Sequence, residues 1–87
     1  MITLEDWNAK KKRRRKWFYA VIACHGGNSI WEVAVVARRL VDNYYYKKDF
    51  FGCCAFIKKG KYKEFHLANH CFFNKKEAEE FARANED

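Results

Sequence analysis

The chain has 87 residues, of which 49% are hydrophobic and 18% aromatic, a composition that limits it to one domain and excludes disorder throughout. Eighteen Lys and Arg against eleven Asp and Glu give a formal charge of +7, and the longest apolar run covers only residues 17–24. That run is far short of the roughly 20 residues of a membrane span, so a basic domain outside the membrane is expected.

In chain order, Thr3, Leu4, Glu5 and Asp6 place a hydroxyl three positions ahead of a carboxylate, the pattern of a capping box. A short helix is predicted to start there, with its acidic residues at the positive end and cations at the negative end. Only Leu4, Trp7 and Ala9 give it an apolar face. Lys10, Lys11, Lys12, Arg13, Arg14, Arg15 and Lys16 then form seven consecutive cations, while the other eleven cations are balanced by eleven anions. The whole net charge lies in one run. Residues 1–16 are expected as a helix and basic arm, and residues 17–87 as a single α+β domain.

Seven adjacent like charges repel one another, and a polyanion is the partner that lowers their self-energy. Nucleic acid fits, because each neutralised phosphate releases condensed counterions. A solvated arm, a targeting signal and an anionic membrane surface are the rival readings. The run lacks the interleaved apolar face of an interfacial helix. No secretory signal is expected, because residues 17–24 are too few and too aromatic for its hydrophobic segment.

Residues 17–25 are β-branched or aromatic with little polar interruption and predict a strand buried on both faces, ended by Gly26 and Gly27. Residues 29–44 support two readings. Ser29 to Glu32 forms a capping box, and Ile30, Val33, Ala34, Ala37, Val41 and Tyr44 share a helical face. Alternation and three Val residues within positions 33–36 favour a strand returning from a hairpin loop. Residues 50–58 predict a further strand, turning at Lys59 and Gly60 into residues 61–67. Asn74 to Glu77 is a capping-box pattern that opens a C-terminal helix of about three turns. The expected fold class is α+β, a small antiparallel sheet of three to four strands packed by the C-terminal helix, with the short N-terminal helix or arm outside it.

Cations interleaved with aromatic rings are the pattern of a surface that stacks on bases while tracking a phosphate backbone. Arg38, Arg39, Lys58, Lys59, Lys61 and Lys63 are expected as a second phosphate contact beside the run. Trp31, Tyr45 and Tyr46 are expected as exposed stacking or interface rings, and Tyr44 and Trp17 as core. Cys53, His66 and His70 have half of a zinc-finger spacing, but the first pair of ligands is missing, since adjacent Cys53 and Cys54 in a strand point to opposite faces. No metal and no cofactor are expected, and the cysteines are read as free thiols of a reducing, cytoplasmic compartment. Neighbouring Cys24 and His25, or His70 and Cys71, do not by themselves make a catalytic pair, so no enzyme is expected.

Thr3-Leu4-Glu5-Asp6-Trp7-Asn8-Ala9-Lys10 and the mixed Lys/Arg run that follows resemble the opening of lambdoid phage excisionases. The resemblance implies a DNA-binding accessory role and a phage or mobile-element origin. It ends at Lys16, where no recognition-helix pattern follows, and the absence of Pro removes that family's wing; no base-contacting residue carries over. The expected function is that of a small basic nucleic-acid-binding accessory protein acting mainly through phosphates, with DNA and RNA both open. The alternative is a phage-type inhibitor or adaptor of a host nucleic-acid-processing protein.

Overall fold

The computed structural model describes residues 2–24, 33–50, 52–61 and 64–84. Helix α1 (Leu4–Lys11) begins at the expected cap. The Thr3 side-chain oxygen accepts from the Asp6 N–H at 3.1 Å, and the Asp6 carboxylate accepts from the Thr3 N–H at 3.2 Å. Two backbone donors that the helix start would otherwise leave unpaired are thereby satisfied.

Strand β1 (Trp17–Cys24) pairs antiparallel with β2 (Val33–Leu40), Trp17 opposite Leu40. Residues 33–40 are therefore a strand, and the amphipathic helix over residues 29–44 does not form. Both patterns are present locally, and pairing along the whole length of β1 selects the extended one. The Gly26–Gly27 loop and Trp31 lie outside the described residues. A 3-10 turn at Val41–Asn43 leads into β3 (Tyr44–Phe50), followed by β4 (Cys53–Lys58) and β5 (Phe65–Leu67). The single strand expected at residues 50–58 is thus divided. Gly52 sits at φ 81°, a conformation open to glycine, and reverses the chain so that Phe50 faces Cys53. A second 3-10 turn at Ala68–His70 leads to the short β6 (Cys71–Phe72), and α2 (Lys75–Ala84) closes the described chain, with the Asn74 side chain accepting from the Lys76 N–H at 2.8 Å.

The fold is α+β with a C-terminal helix packed on a sheet and a short N-terminal helix, as the sequence predicts. It differs in having two three-stranded antiparallel sheets, ordered β2-β1-β6 and β3-β4-β5. β1 makes this possible because it is apolar on both faces. Phe18 and Ala20 join a core with Trp7, Tyr44 and Phe56 from the second sheet and α1. Val21, with Tyr19 beside it, joins another core with Ala34, Ala78 and Ala82, where alanines let α2 lie close to the sheet.

The first core is aromatic. Trp7 is 1% exposed, stacks on Phe56 at 4.2 Å between centroids, and meets the edge of Phe18 at 5.5 Å; Phe18 in turn meets Tyr44 edge-on at 5.1 Å. Such offset and edge-on pairs add about 0.5–1.5 kcal/mol each beyond the area they bury. Trp7 and Phe18, from opposite sides of the boundary expected after residue 16, lie in the same core. Among the described residues no helix is long and apolar enough to cross a membrane.

Candidate nucleic-acid interface

The cationic segment starts inside α1, where Lys10 and Lys11 occupy the last turn and favour the negative end of the helix dipole. The helix closes with the Lys12 and Arg13 N–H groups donating to the carbonyls of Ala9 and Lys10. Lys11, Lys12, Arg13, Arg14 and Arg15 are exposed, and none of them has an ion-pair partner among the described residues. Lys16 is different: its ammonium lies 3.2 Å from the Asp42 carboxylate, and its carbonyl accepts from the Val41 N–H at 2.7 Å. The segment is consequently held at both ends, by Trp7 in the core and by Lys16 on the first 3-10 turn.

Alternation along β1 and β2 places Trp17, Tyr19 and Arg38 on the face that α2 covers only in part. The uncovered end opens as a groove of about 570 Å³ lined by Lys10, Arg15, Trp17, Tyr19, Arg38 and Phe73. The Arg38 guanidinium lies 4.4 Å from the centroid of Trp17, and the Lys10 ammonium 5.3 Å from that of Phe73. Each contact is worth about 0.5–1 kcal/mol at an exposed site and fixes a cation without neutralising it. Trp17, expected in the core, is only half-buried and forms a groove wall. Arg38 joins the basic segment as expected.

Arg39 does not. Adjacent residues of a strand face opposite ways, and Arg39 points to the side of Phe18, where its Nε donates to Glu64 Oε1 at 3.1 Å. The same oxygen accepts from the Tyr44 hydroxyl at 2.8 Å and lies 2.5 Å from His66 Nε2, while Lys58 approaches Glu64 Oε2 at 3.9 Å. Arg39 and Lys58, expected as phosphate contacts, are thereby drawn into an internal ion-pair cluster. Tyr46 is also corrected: it is turned inward, its ring against Trp7 and Phe56 and its hydroxyl donating to the Ile2 carbonyl at 3.2 Å. Tyr45 is exposed as expected, with the Lys59 ammonium 5.1 Å from its ring centroid, and Lys61 is exposed beside Gly60. Lys63 and Trp31 lie outside the described residues.

Burial opposes the charge of Glu64, but hydrogen bonds from His66, Tyr44 and Arg39 outweigh it and hold the carboxyl down at about 2, against an ordinary 4.5. Burial, followed by the hydrogen bond to Glu64, raises the Tyr44 hydroxyl well above its usual range, so Tyr44 stays a donor. The sign follows: a depressed carboxyl adds stability above pH 4.5, and that stability is lost as pH falls from 4.5 toward 2. Replacing Glu64 with Gln is expected to destabilise the fold at neutral pH by about 2 kcal/mol, since Arg39 and His66 lose a charged acceptor. Urea midpoints of the two proteins at pH 7, 4, 3 and 2.5 should converge as the solution becomes acidic; a constant difference would deny Glu64 this role.

The cysteines offer little chemistry in the described region. Cys53 is exposed and Cys54 is packed against the first core. Cys71 is buried, and burial pushes its thiol up, away from the thiolate that nucleophilic or metal chemistry requires. Among the described residues no group of three or more His, Cys, Asp or Glu is placed to hold a metal ion. Trp17, Tyr19 and Phe73 are the groove residues the sequence did not assign; the alternation of residues 17–21 was the available signal for the first two. No family model matches the chain, and no curated protein or solved structure is significantly similar to it.

Proposed function

We propose that the chain is a small nucleic-acid-binding accessory protein that holds its ligand mainly through phosphates. The reading is carried by one observation: five consecutive exposed cations, Lys11 to Arg15, unpaired among the described residues, run into a groove to which strand β2 contributes Arg38. Seven cations in sequence make an electrostatic signal; their junction with Arg38, Trp17 and Phe73 makes a surface. Arg38 is held on the ring of Trp17, so its orientation is partly set before a phosphate arrives. Phosphate contacts carry no sequence information of their own, so a ligand held mainly through them is expected to be bound with weak sequence preference.

Titration of labelled duplex and single-stranded oligonucleotides at 50 and 200 mM salt tests the reading. Six phosphate contacts, from Lys11 to Arg15 and Arg38, correspond to a slope of about −5 in log K against log salt on a duplex, and to about a thousandfold loss of affinity over that range. Affinity indifferent to salt would overturn it. A protein partner from a bacterial lysate that survives nuclease treatment, together with no direct oligonucleotide binding, would favour the adaptor instead.

A further inference from the structure

We infer that the outer face of the β3-β4-β5 sheet is a stacking platform for the unpaired bases of a single-stranded nucleic acid. The inference rests on the reading just given and adds the form of the ligand and a second surface.

The strand register sets Tyr45, Ile57 and Phe65 side by side across the sheet. Their chain neighbours Tyr44, Phe56 and His66 face inward and are buried. Tyr45 is 59% exposed and Phe65 57%. A domain this small has little apolar surface to spare, and two aromatic rings in one outward row point to a surface kept for contact. Strands lie about 4.8 Å apart, so the two rings, two strands apart, are separated by roughly 10 Å. An unpaired strand can present one base to each ring. In a duplex the faces of the bases are covered by stacking, and only phosphates and groove edges remain accessible.

The surroundings of the row favour a polyanion over an apolar partner. Lys59 lies over Tyr45, and Lys61 is exposed at the adjoining turn. No acidic residue stands at positions 45, 47, 55, 57, 65 or 67, and the one acidic residue of β3, Asp49, lies past the register shift that follows Lys47. The face is also connected to the basic segment. The Lys59 N–H donates to the Asn43 carbonyl at 2.9 Å, while Lys16 holds Val41 and Asp42 of the same 3-10 turn. Both cationic regions brace one turn at one end of the molecule, so a single backbone can pass from Lys59 to the segment around that end.

The test compares the full chain with Tyr45→Ala, Phe65→Ala and Tyr45→Phe, using a short labelled oligothymidylate and a blunt duplex at one salt concentration. Each alanine substitution is expected to weaken oligothymidylate binding by on the order of tenfold. Duplex affinity should stay within about twofold in every variant, which also certifies that the variants are folded, and Tyr45→Phe should bind as the parent does, because the ring and not the hydroxyl stacks. Unchanged oligothymidylate binding in both alanine variants would overturn the inference while leaving the phosphate-binding reading intact. Equal loss on both ligands would also overturn it, assigning the rings to something other than unpaired bases. Self-association abolished by Tyr45→Ala, with oligothymidylate binding unchanged, would assign the face to a second copy of the chain. A parent protein that binds neither ligand removes both proposals.

Discussion

Replacement of Lys11, Lys12, Arg13, Arg14 and Arg15 together by glutamine is expected to flatten the salt dependence of duplex binding from about −5 to about −1, since each phosphate contact contributes about −0.9. Between 50 and 200 mM salt the variant should lose only about fourfold in affinity, against roughly a thousandfold for the parent. Stability should move little, and upward if at all. None of the five has an ion-pair partner among the described residues, so no ion pair seen there is lost. The helix-end interaction of Lys11, worth about 0.3–1 kcal/mol, is offset by relief of repulsion between adjacent cations. A structural segment would behave in the opposite way, with a lower melting temperature and an unchanged slope. Arg38→Gln alone should shift the slope by about one and leave the rest in place. A five-fold variant whose slope stays near −5 would transfer the binding to other cations and dissolve the role given to this segment.

The parts of this molecule that were readable from sequence are those whose determinants lie within one turn or one strand. The Thr3 capping box is a contact over three residues, and it forms as read. The two-faced character of β1 is carried by its own residues and survives into two separate cores. Residues 33–40 were ambiguous because valines at strand spacing and a helical apolar face coexist there, and only pairing with β1 decides. Gly52 illustrates a different limit: a glycine inside an apolar run signals a bulge or a reversal equally well, and the reversal supplies a second sheet. For Arg38 and Arg39 the strand pattern is sufficient by itself. Once residues 33–40 are a strand, two neighbouring cations cannot serve one surface, and one of them must find its own partner. That partner, Glu64, is 25 residues away in sequence and also gathers Tyr44 and His66. Its role depends on three elements at once, which no local pattern carries. The three consecutive tyrosines divide by the same alternation, Tyr44 and Tyr46 inward and Tyr45 outward, with the parity set by how β3 meets β4.

Trp7→Ala is expected to produce the largest loss of stability, about 3–5 kcal/mol, the range for truncating a buried aromatic side chain. A domain of this length has roughly 4–13 kcal/mol in total at 0.05–0.15 kcal/mol per residue. The variant should therefore melt at least about 12 °C lower, at about 4 °C or more per kcal/mol for a domain of this size. Trp7→Phe should be much milder. It preserves the stack on Phe56 and removes an indole N–H that is buried without a hydrogen-bond partner among the described residues, a burden of about 1–3 kcal/mol set against the smaller volume. The consequence for function comes through α1. Eight residues are too few for a helix to persist alone, since isolated helices below about 12–15 residues are marginal in water. Trp7 is the only buried residue of that helix, and Leu4 is 44% exposed. Without the indole the helix is expected to come away from the sheets, taking Lys10 from the groove and leaving the cations on a loose chain. In conditions where Trp7→Ala remains folded, its affinity for duplex should fall while the salt slope persists, because the charges are still present but no longer placed beside Arg38. Circular dichroism melts and the two-salt titration separate these effects. A Trp7→Ala protein with the parent's melting temperature would mean that α1 is not anchored through the core, and the groove shared by Lys10, Arg15 and Arg38 would lose its physical basis.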